Sequence, residues 1–154
     1  MRLTEGSAAR FLGPAKNSTS AEFIDTNILI YAEDGGMGAK HRIAVELVAR
    51  LAKQDIGALS TQVLAEYYNA ATKKLHMSSE EAEETIRDLS CWKIHRSSHA
   101  DIVSAIGLQR RYGLSWWDAL IVSSAIECGA GILWSEDLSN GQKYGTLVVR
   151  NPFE

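Results

Sequence analysis

The sequence predicts an α/β fold with a mainly parallel central sheet and helices on both of its faces. Two observations predict it. Short apolar runs alternate with longer segments of helical periodicity along the chain, the pattern of strands joined by crossover helices. Helix-start signals recur between those runs, as Ser78-Ser79-Glu80-Glu81, Ser98-His99-Ala100-Asp101 and Ser115-Trp116-Trp117-Asp118. A length of 154 residues suits one domain with a sizeable core.

The elements follow in order. Phe23 and Ile24 form a short buried strand, and Asn27 to Tyr31 start a helix or a tight turn into one. Ala32 to Gly38 is a glycine-rich link. Ala39 to Lys53 is amphipathic, with Ile43, Leu47, Val48 and Leu51 at helical spacing. Ile56 to Leu59 reads as a strand. Ser60 or Thr61 then caps a helix to about Leu75, with Val63, Leu64, Tyr67, Ala70 and Ala71 on its apolar side. A helix from Ser78 to about Leu89 precedes a strand over Trp92 to His95. The next helix runs to Tyr112 and stops at Gly113. The most apolar helix opens at Ser115 and ends at Gly129. Ile132 to Trp134 and Leu147 to Val149 are the last strands, around a loop at Ser139-Asn140-Gly141.

Residues 1–20 stand apart as a small, polar, flexible N-terminal extension without the apolar core of a signal peptide. Residues 21–154 form the folded domain. Hydrophobic content of 45% and charged content of 23% are ordinary for a globular protein. No apolar run approaches the ~18 residues of a membrane span, and a cytoplasmic location follows as the expectation. A net charge of -3 gives no broad basic footprint for duplex nucleic acid. Cys91 and Cys128 make neither a disulfide framework nor a four-ligand zinc site, and read as buried free thiols. His95 and His99 have a metal-ligand spacing, but the turn at Ser97-Ser98 separates them.

Four acids carry the chemistry. Asp25 falls at the carboxyl end of the first strand, where open parallel sheets bind ligands. Burying it is costly without a cation, although Asp25 or Thr26 also suits the cap of the next helix. Glu66 shares a helix face with Gln62, Asn69 and Lys73, which suits either a site or a solvated face. Asp118 lies on the apolar helix, turned roughly 120° to 180° from Ser123, Ser124 and Glu127, the expected solvent side. A capping box with Ser115 is its other reading. Asp137 follows a strand end as Asp25 does, and also suits a turn. Glu136 beside it is a substitute acid or an exposed one. Converging carboxylates repel unless protons or cations balance them. Oxygen-only ligands suit Mg²⁺ or Mn²⁺, and such sites perform phosphoryl chemistry.

Four segments carry a resemblance: Phe23-Ile24-Asp25-Thr26-Asn27-Ile28-Leu29-Ile30-Tyr31, Leu59-Ser60-Thr61-Gln62-Val63-Leu64-Ala65-Glu66, Leu114-Ser115-Trp116-Trp117-Asp118-Ala119-Leu120-Ile121 and Leu133-Trp134-Ser135-Glu136-Asp137-Leu138. In this order the chain resembles PIN domains, and among them the VapC-type toxin ribonucleases. The resemblance implies a three-layer sandwich and Mg²⁺- or Mn²⁺-dependent hydrolysis of RNA by water, with no protein nucleophile. It implies that Asp25, Glu66, Asp118 and Asp137 are the catalytic, metal-binding acids. Thr26, Asn27 and Ser135 would be auxiliary residues that orient them. It also implies a cognate antitoxin and a homodimer, with the helices over Ala39 to Lys53 and Ser78 to Leu89 as candidate surfaces.

Lys73, Lys74, Arg110, Arg111, Lys143 and Arg150 are candidates for backbone contacts to RNA. Trp116 and Trp117 suit base stacking, with core packing expected for at least one of them. Two other readings compete: a receiver-like signalling domain with an Mg²⁺-binding acidic pocket, and a non-catalytic PIN-like module that binds a protein.

Overall fold

The computed structural model describes residues 19–154. The expected flexible extension therefore falls almost wholly outside the described residues. Among the described residues six strands form one sheet: β1 (Glu22–Ile24), β2 (Gly57–Ser60), β3 (Lys93–His95), β4 (Ile132–Trp134), β5 (Lys143–Tyr144) and β6 (Leu147–Arg150). Their order across the sheet is β3-β2-β1-β4-β6-β5. All neighbours pair in parallel except β5 with β6, which form an antiparallel edge.

The helices are α1 (Thr26–Glu33), α2 (Ala39–Gln54), α3 (Thr61–Lys74), α4 (Ser79–Asp88), α5 (His99–Tyr112) and α6 (Trp116–Glu127). From β1 through β2 to β3 the chain steps one way across the sheet, and from β3 to β4 it jumps back past β1. Crossovers between parallel strands are right-handed, so the reversal puts α5 and α6 on the opposite face from α1 to α4. The packing agrees: α1 lies on α2 and α3, α3 on α4, and α5 on α6. This is the three-layer sandwich that the sequence predicts.

The central strands are short but wholly buried. Phe23, Ile24, Leu59 and Leu133 have no exposed surface, and burying each contributes about 1.5–3 kcal/mol. The Trp92 indole packs directly on the β2 backbone, where a Cβ on Gly57 would stand 2.5 Å from the ring. Any larger residue there has to displace the indole.

The helix starts form as the sequence predicts, with one informative difference. Ser78 with Glu81, and Ser98 with Asp101, close full capping boxes. At α6, Ser115 Oγ accepts from Asp118 N–H at 3.1 Å, but the reciprocal bond, from Ser115 N–H to the Asp118 carboxylate, is not made. The carboxylate is left outside the cap.

Several expectations need correction. Ser123 and Ser124 do not mark a solvent side of α6; both are buried, and the exposed residues there are Trp117, Ile126 and Glu127. The helix is enclosed nearly all round, and small serines fit its close packing as alanines do. Cys91 is exposed, and only Cys128 is a buried thiol. The glycine-rich link contains a 3-10 turn, Gly35–Met37, and a second 3-10 turn, Leu89–Cys91, follows α4. The edge strand β5 had no sequence signal. It is two residues long, held by pairing with β6 rather than by an apolar pattern.

Candidate active site

Strand order reverses between β1 and β4. Their carboxyl ends therefore open onto a crevice that no crossover covers, the usual ligand position in such sheets. β1 ends at Ile24 opposite Trp134 of β4, and Asp25 N–H donates to the Trp134 carbonyl at 2.9 Å. Asp25 and Ser135 consequently leave the sheet side by side. Both are buried, Asp25 with 6% of its surface exposed and Ser135 with none.

The Asp25 carboxylate is held from two sides. Thr26 N–H donates to Oδ1 at 2.7 Å, and Ser135 Oγ–H donates to Oδ2 at 2.8 Å. The first bond makes Asp25 the N-cap of α1, so capping and burial at the strand edge coexist. Both donors are neutral. Burial pushes the Asp25 carboxyl up from the ordinary 3.8 to about 6. The hydrogen bonds from Ser135 and Thr26 oppose that rise, while the charges of Asp137 and Glu66 add to it.

Three of the four predicted acids are tied together by the three predicted auxiliary residues. Thr26 Oγ1–H donates to Glu66 Oε2 at 2.7 Å, joining α1 to α3. Asn27 Nδ2–H donates to Asp137 Oδ2 at 3.0 Å, across from α1 to the loop after β4. Ser135 Oγ also accepts from Asp137 N–H at 3.1 Å, so one hydroxyl bridges Asp25 to the Asp137 backbone. Glu66 therefore faces the crevice, not open solvent.

Asp118 is joined less directly. It is half-buried in the first turn of α6, and its charge acts on the Tyr144 hydroxyl, whose pKa burial already raises. Gln62 links its helix to the others: Nε2 donates to Glu66 Oε1 at 2.8 Å and reaches the Trp117 carbonyl at 3.4 Å. Among the described residues, no three His, Cys, Asp or Glu side chains stand in a ready-made metal-ligating group.

Glu136 is bonded away from the other acids. It turns to the other side of the loop, where it accepts from Lys40 and, at 2.5 Å, from the Tyr31 hydroxyl. Lys40 Nζ lies 5.1 Å from the centre of the Tyr31 ring and 5.5 Å from that of Phe153. Burial acts to raise the Glu136 carboxyl, but the bonds and charge from Lys40 and Tyr31 hold it below the ordinary range. Sequence reasoning missed this cluster. Its members are 31, 40, 136 and 153, and no local pattern joins them.

His95 and His99 do not make a metal pair. His95 ends β3 and meets Asp101 Oδ2 at 2.9 Å, whereas His99 opens α5 and is exposed. The strand order also departs from the 2-1-3-4-5 arrangement of receiver domains, which removes the receiver-like reading.

Comparison with known proteins agrees with this fold. A toxin–antitoxin complex from Klebsiella pneumoniae contains a chain 26% identical to this one, covering 88% of this chain and 99% of that one with a TM-score of 0.59. VapC20 of Mycobacterium tuberculosis, a toxin that cleaves the sarcin-ricin loop, is 20% identical with a TM-score of 0.63, covering 76% of this chain and 92% of that one. VapBC2 from Rickettsia felis, solved on a DNA fragment from its promoter, is 24% identical with a TM-score of 0.59, covering 85% and 98%. A search of curated protein sequences found no match. The PIN domain profile matches residues 23–139, from the strand that carries Asp25 to just beyond Asp137. That span is most of the chain, and the protein belongs to the PIN domain family.

Proposed function

We propose that this protein is a metal-dependent endoribonuclease of the VapC type, the toxin of a toxin–antitoxin pair. One observation carries the reading: a buried carboxylate, Asp25, at the switch point of a PIN fold, beside Glu66 and Asp137 and, among the described residues, met only by neutral donors. An acid in that state lacks a counter-charge, and a cation supplies it.

The donor set fits Mg²⁺ or Mn²⁺. Asp25, Glu66, Asp118 and Asp137 offer only oxygen, with no thiolate or imidazole among them. These four would hold the ion. When bound, it acidifies a water molecule and offsets charge on the phosphate. The chain's own residues do the rest. Asp25 would meet the ion as a carboxylate, since its proton is held only to about pH 6. Ser135 and Thr26 keep its two oxygens apart and oriented. Thr26 also fixes Glu66, and Asn27 fixes Asp137. Gln62 holds the start of α6, and with it Asp118, against Glu66. Cleavage by water leaves a 5′-phosphate and a 3′-hydroxyl. An enclosed acidic cleft takes a strand that bends, so unpaired or loop RNA is the substrate class.

The related structures support the biological half. VapC20 cuts an RNA loop, and the other two are toxin–antitoxin assemblies. The reading extends to a cytoplasmic homodimer held by a small antitoxin, as the resemblance to VapC-type toxins implies. No helix among the described residues is long and apolar enough to cross a membrane.

The test is cleavage of a panel of end-labelled RNAs with Mg²⁺ or Mn²⁺, with and without a chelator, by the wild type, Asp25→Asn and Asp118→Asn. Cutting that needs the metal and is lost in both variants is the expected result. Cutting that survives both substitutions refutes the assignment. Binding of a protein partner by a chain that neither cuts RNA nor takes up Mg²⁺ establishes the non-catalytic module instead.

A further inference from the structure

Two tryptophans open α6, and the structure separates them. Trp116 packs with Ala105, Ala119 and Leu120 in the small core between α5 and α6. Trp117 leaves 63% of its surface in solvent. A tryptophan so placed forgoes most of the stabilisation that its burial would bring. Its position gives the reason. Trp117 directly precedes Asp118, and its carbonyl receives Gln62 Nε2, the same nitrogen that donates to Glu66. The backbone that carries the indole is thus fastened to a site acid.

We propose that Trp117 is a stacking platform for an unpaired nucleobase of the substrate RNA, beside the scissile phosphate. The proposal rests on the ribonuclease reading and adds to it where the strand gains its affinity. Three observations support a nucleotide there. The exposed ring is carried by the residue next to Asp118, on backbone bonded to Gln62 and through it to Glu66. Gln62 Oε1, on the same amide that reaches the Trp117 carbonyl, is buried without a hydrogen-bond partner. Rotation of that side chain as a strand enters would let the unmet acceptor take a donor, such as a ribose hydroxyl or an exocyclic amine. The protein carries a net charge of -3, so phosphate contacts alone give an RNA strand little attraction. Stacking on a neutral ring adds about 1–3 kcal/mol per base and needs no charge.

The test measures binding and cleavage together. A fluorescent single-stranded RNA is titrated with the wild type, Trp117→Ala and Trp117→Phe in Ca²⁺, and cleavage is followed in Mg²⁺. A matched series carries one abasic nucleotide at each position in turn. Trp117→Ala is expected to weaken binding about tenfold and to raise KM in step, with kcat changed much less. Trp117→Phe recovers most of the loss. One abasic position near the cut weakens the wild type but weakens Trp117→Ala no further.

Wild-type binding and cleavage by Trp117→Ala overturns the stacking proposal and leaves the ribonuclease reading standing. A wild type that neither binds nor cuts any RNA overturns both. If Trp117→Ala halves the mass in solution while binding RNA as the wild type does, the indole is a contact between copies and the proposal falls.

Discussion

β1 is three residues long and has a buried acid at each end. Glu22, at its amino end, is 9% exposed; Asp25, just past its carboxyl end, is 6% exposed. Glu22 is fully answered. Arg50 reaches its two oxygens at 2.8 and 3.4 Å, and Trp134 Nε1–H donates to it at 2.7 Å. Asp25 has two neutral donors, and its charged neighbours are Asp137 and Glu66. One strand thus carries an acid that brings its own cation and an acid that lacks one. The first serves the fold, and the second fits a site. Glu136 repeats the lesson within a single turn. It is paired with Lys40 and held below the ordinary range, while Asp25 next to that loop is pushed up.

The sharpest way to break this contrast is Asp25→Asn. Cleavage should fall at least about 10³-fold in the RNA assay, yet the metal-free protein should become more stable. The sign follows from linkage. The folded state holds the Asp25 proton to about pH 6 and the unfolded chain only to 3.8. The contribution is therefore full below 3.8 and is lost as pH rises through 6. At neutral pH the wild type forgoes up to about 3 kcal/mol that an uncharged amide regains. Denaturant unfolding at pH 7.5 and at pH 3.5 checks this, and the gap between the two proteins should shrink at the lower pH.

Arg50→Met attacks the other end. It leaves Glu22 buried with its cation gone. Because Arg50 is itself partly exposed, the cost should be about 2 kcal/mol, below that of a fully buried pair. Denaturant unfolding measures it, and kcat/KM per folded molecule should stay at the wild-type value. A loss of specific activity would mean that the two ends of β1 are not separable.

A smaller effect sharpens the metal side. Protons and cations compete for Asp25, so Mg²⁺ should bind about tenfold more weakly at pH 5 than well above pH 6. Calorimetric titration at both pH values reads this directly, and Asp25→Asn should remove the difference.

Glu136→Gln is the mildest test. Its partner Lys40 is more than a third exposed, so stability should drop by under about 1 kcal/mol. Cleavage should stay within about threefold if Glu136 only braces the loop. A loss as large as that of Asp25→Asn would place Glu136 among the acting acids and undo the distinction.

Much of the site was legible before the fold. Asp25 and Asp137 stood out because an acid directly after a short apolar strand is chemically conspicuous. Thr26, Asn27 and Ser135 entered only through the resemblance to PIN domains, and the structure bonds each of them to one of the acids. Glu66 and Asp118 were weaker, since helical spacing alone does not separate a crevice-facing acid from a solvated one. The reading of Asp118 by helix angle used a wrong marker. Ser123 and Ser124 are polar by composition but small enough to pack inside. The Lys40–Glu136–Tyr31–Phe153 cluster was invisible, because the contacts that bring Glu136 and Phe153 to Tyr31 and Lys40 each span a long stretch of chain.

The sequence by itself determined the class of fold, the helix starts and the identity of the acids, because these depend on local periodicity, capping chemistry and residue type. Tertiary structure alone decided which acids received a counter-charge. Glu22 and Asp25 are both acids at the ends of one buried strand, and nothing within that strand tells them apart. Arg50 lies 28 positions from Glu22, and Ser135 lies 110 from Asp25. Only the parallel pairing of β1 with β4, and the packing of α2 beside Glu22, brings a cation to one acid and a neutral hydroxyl to the other.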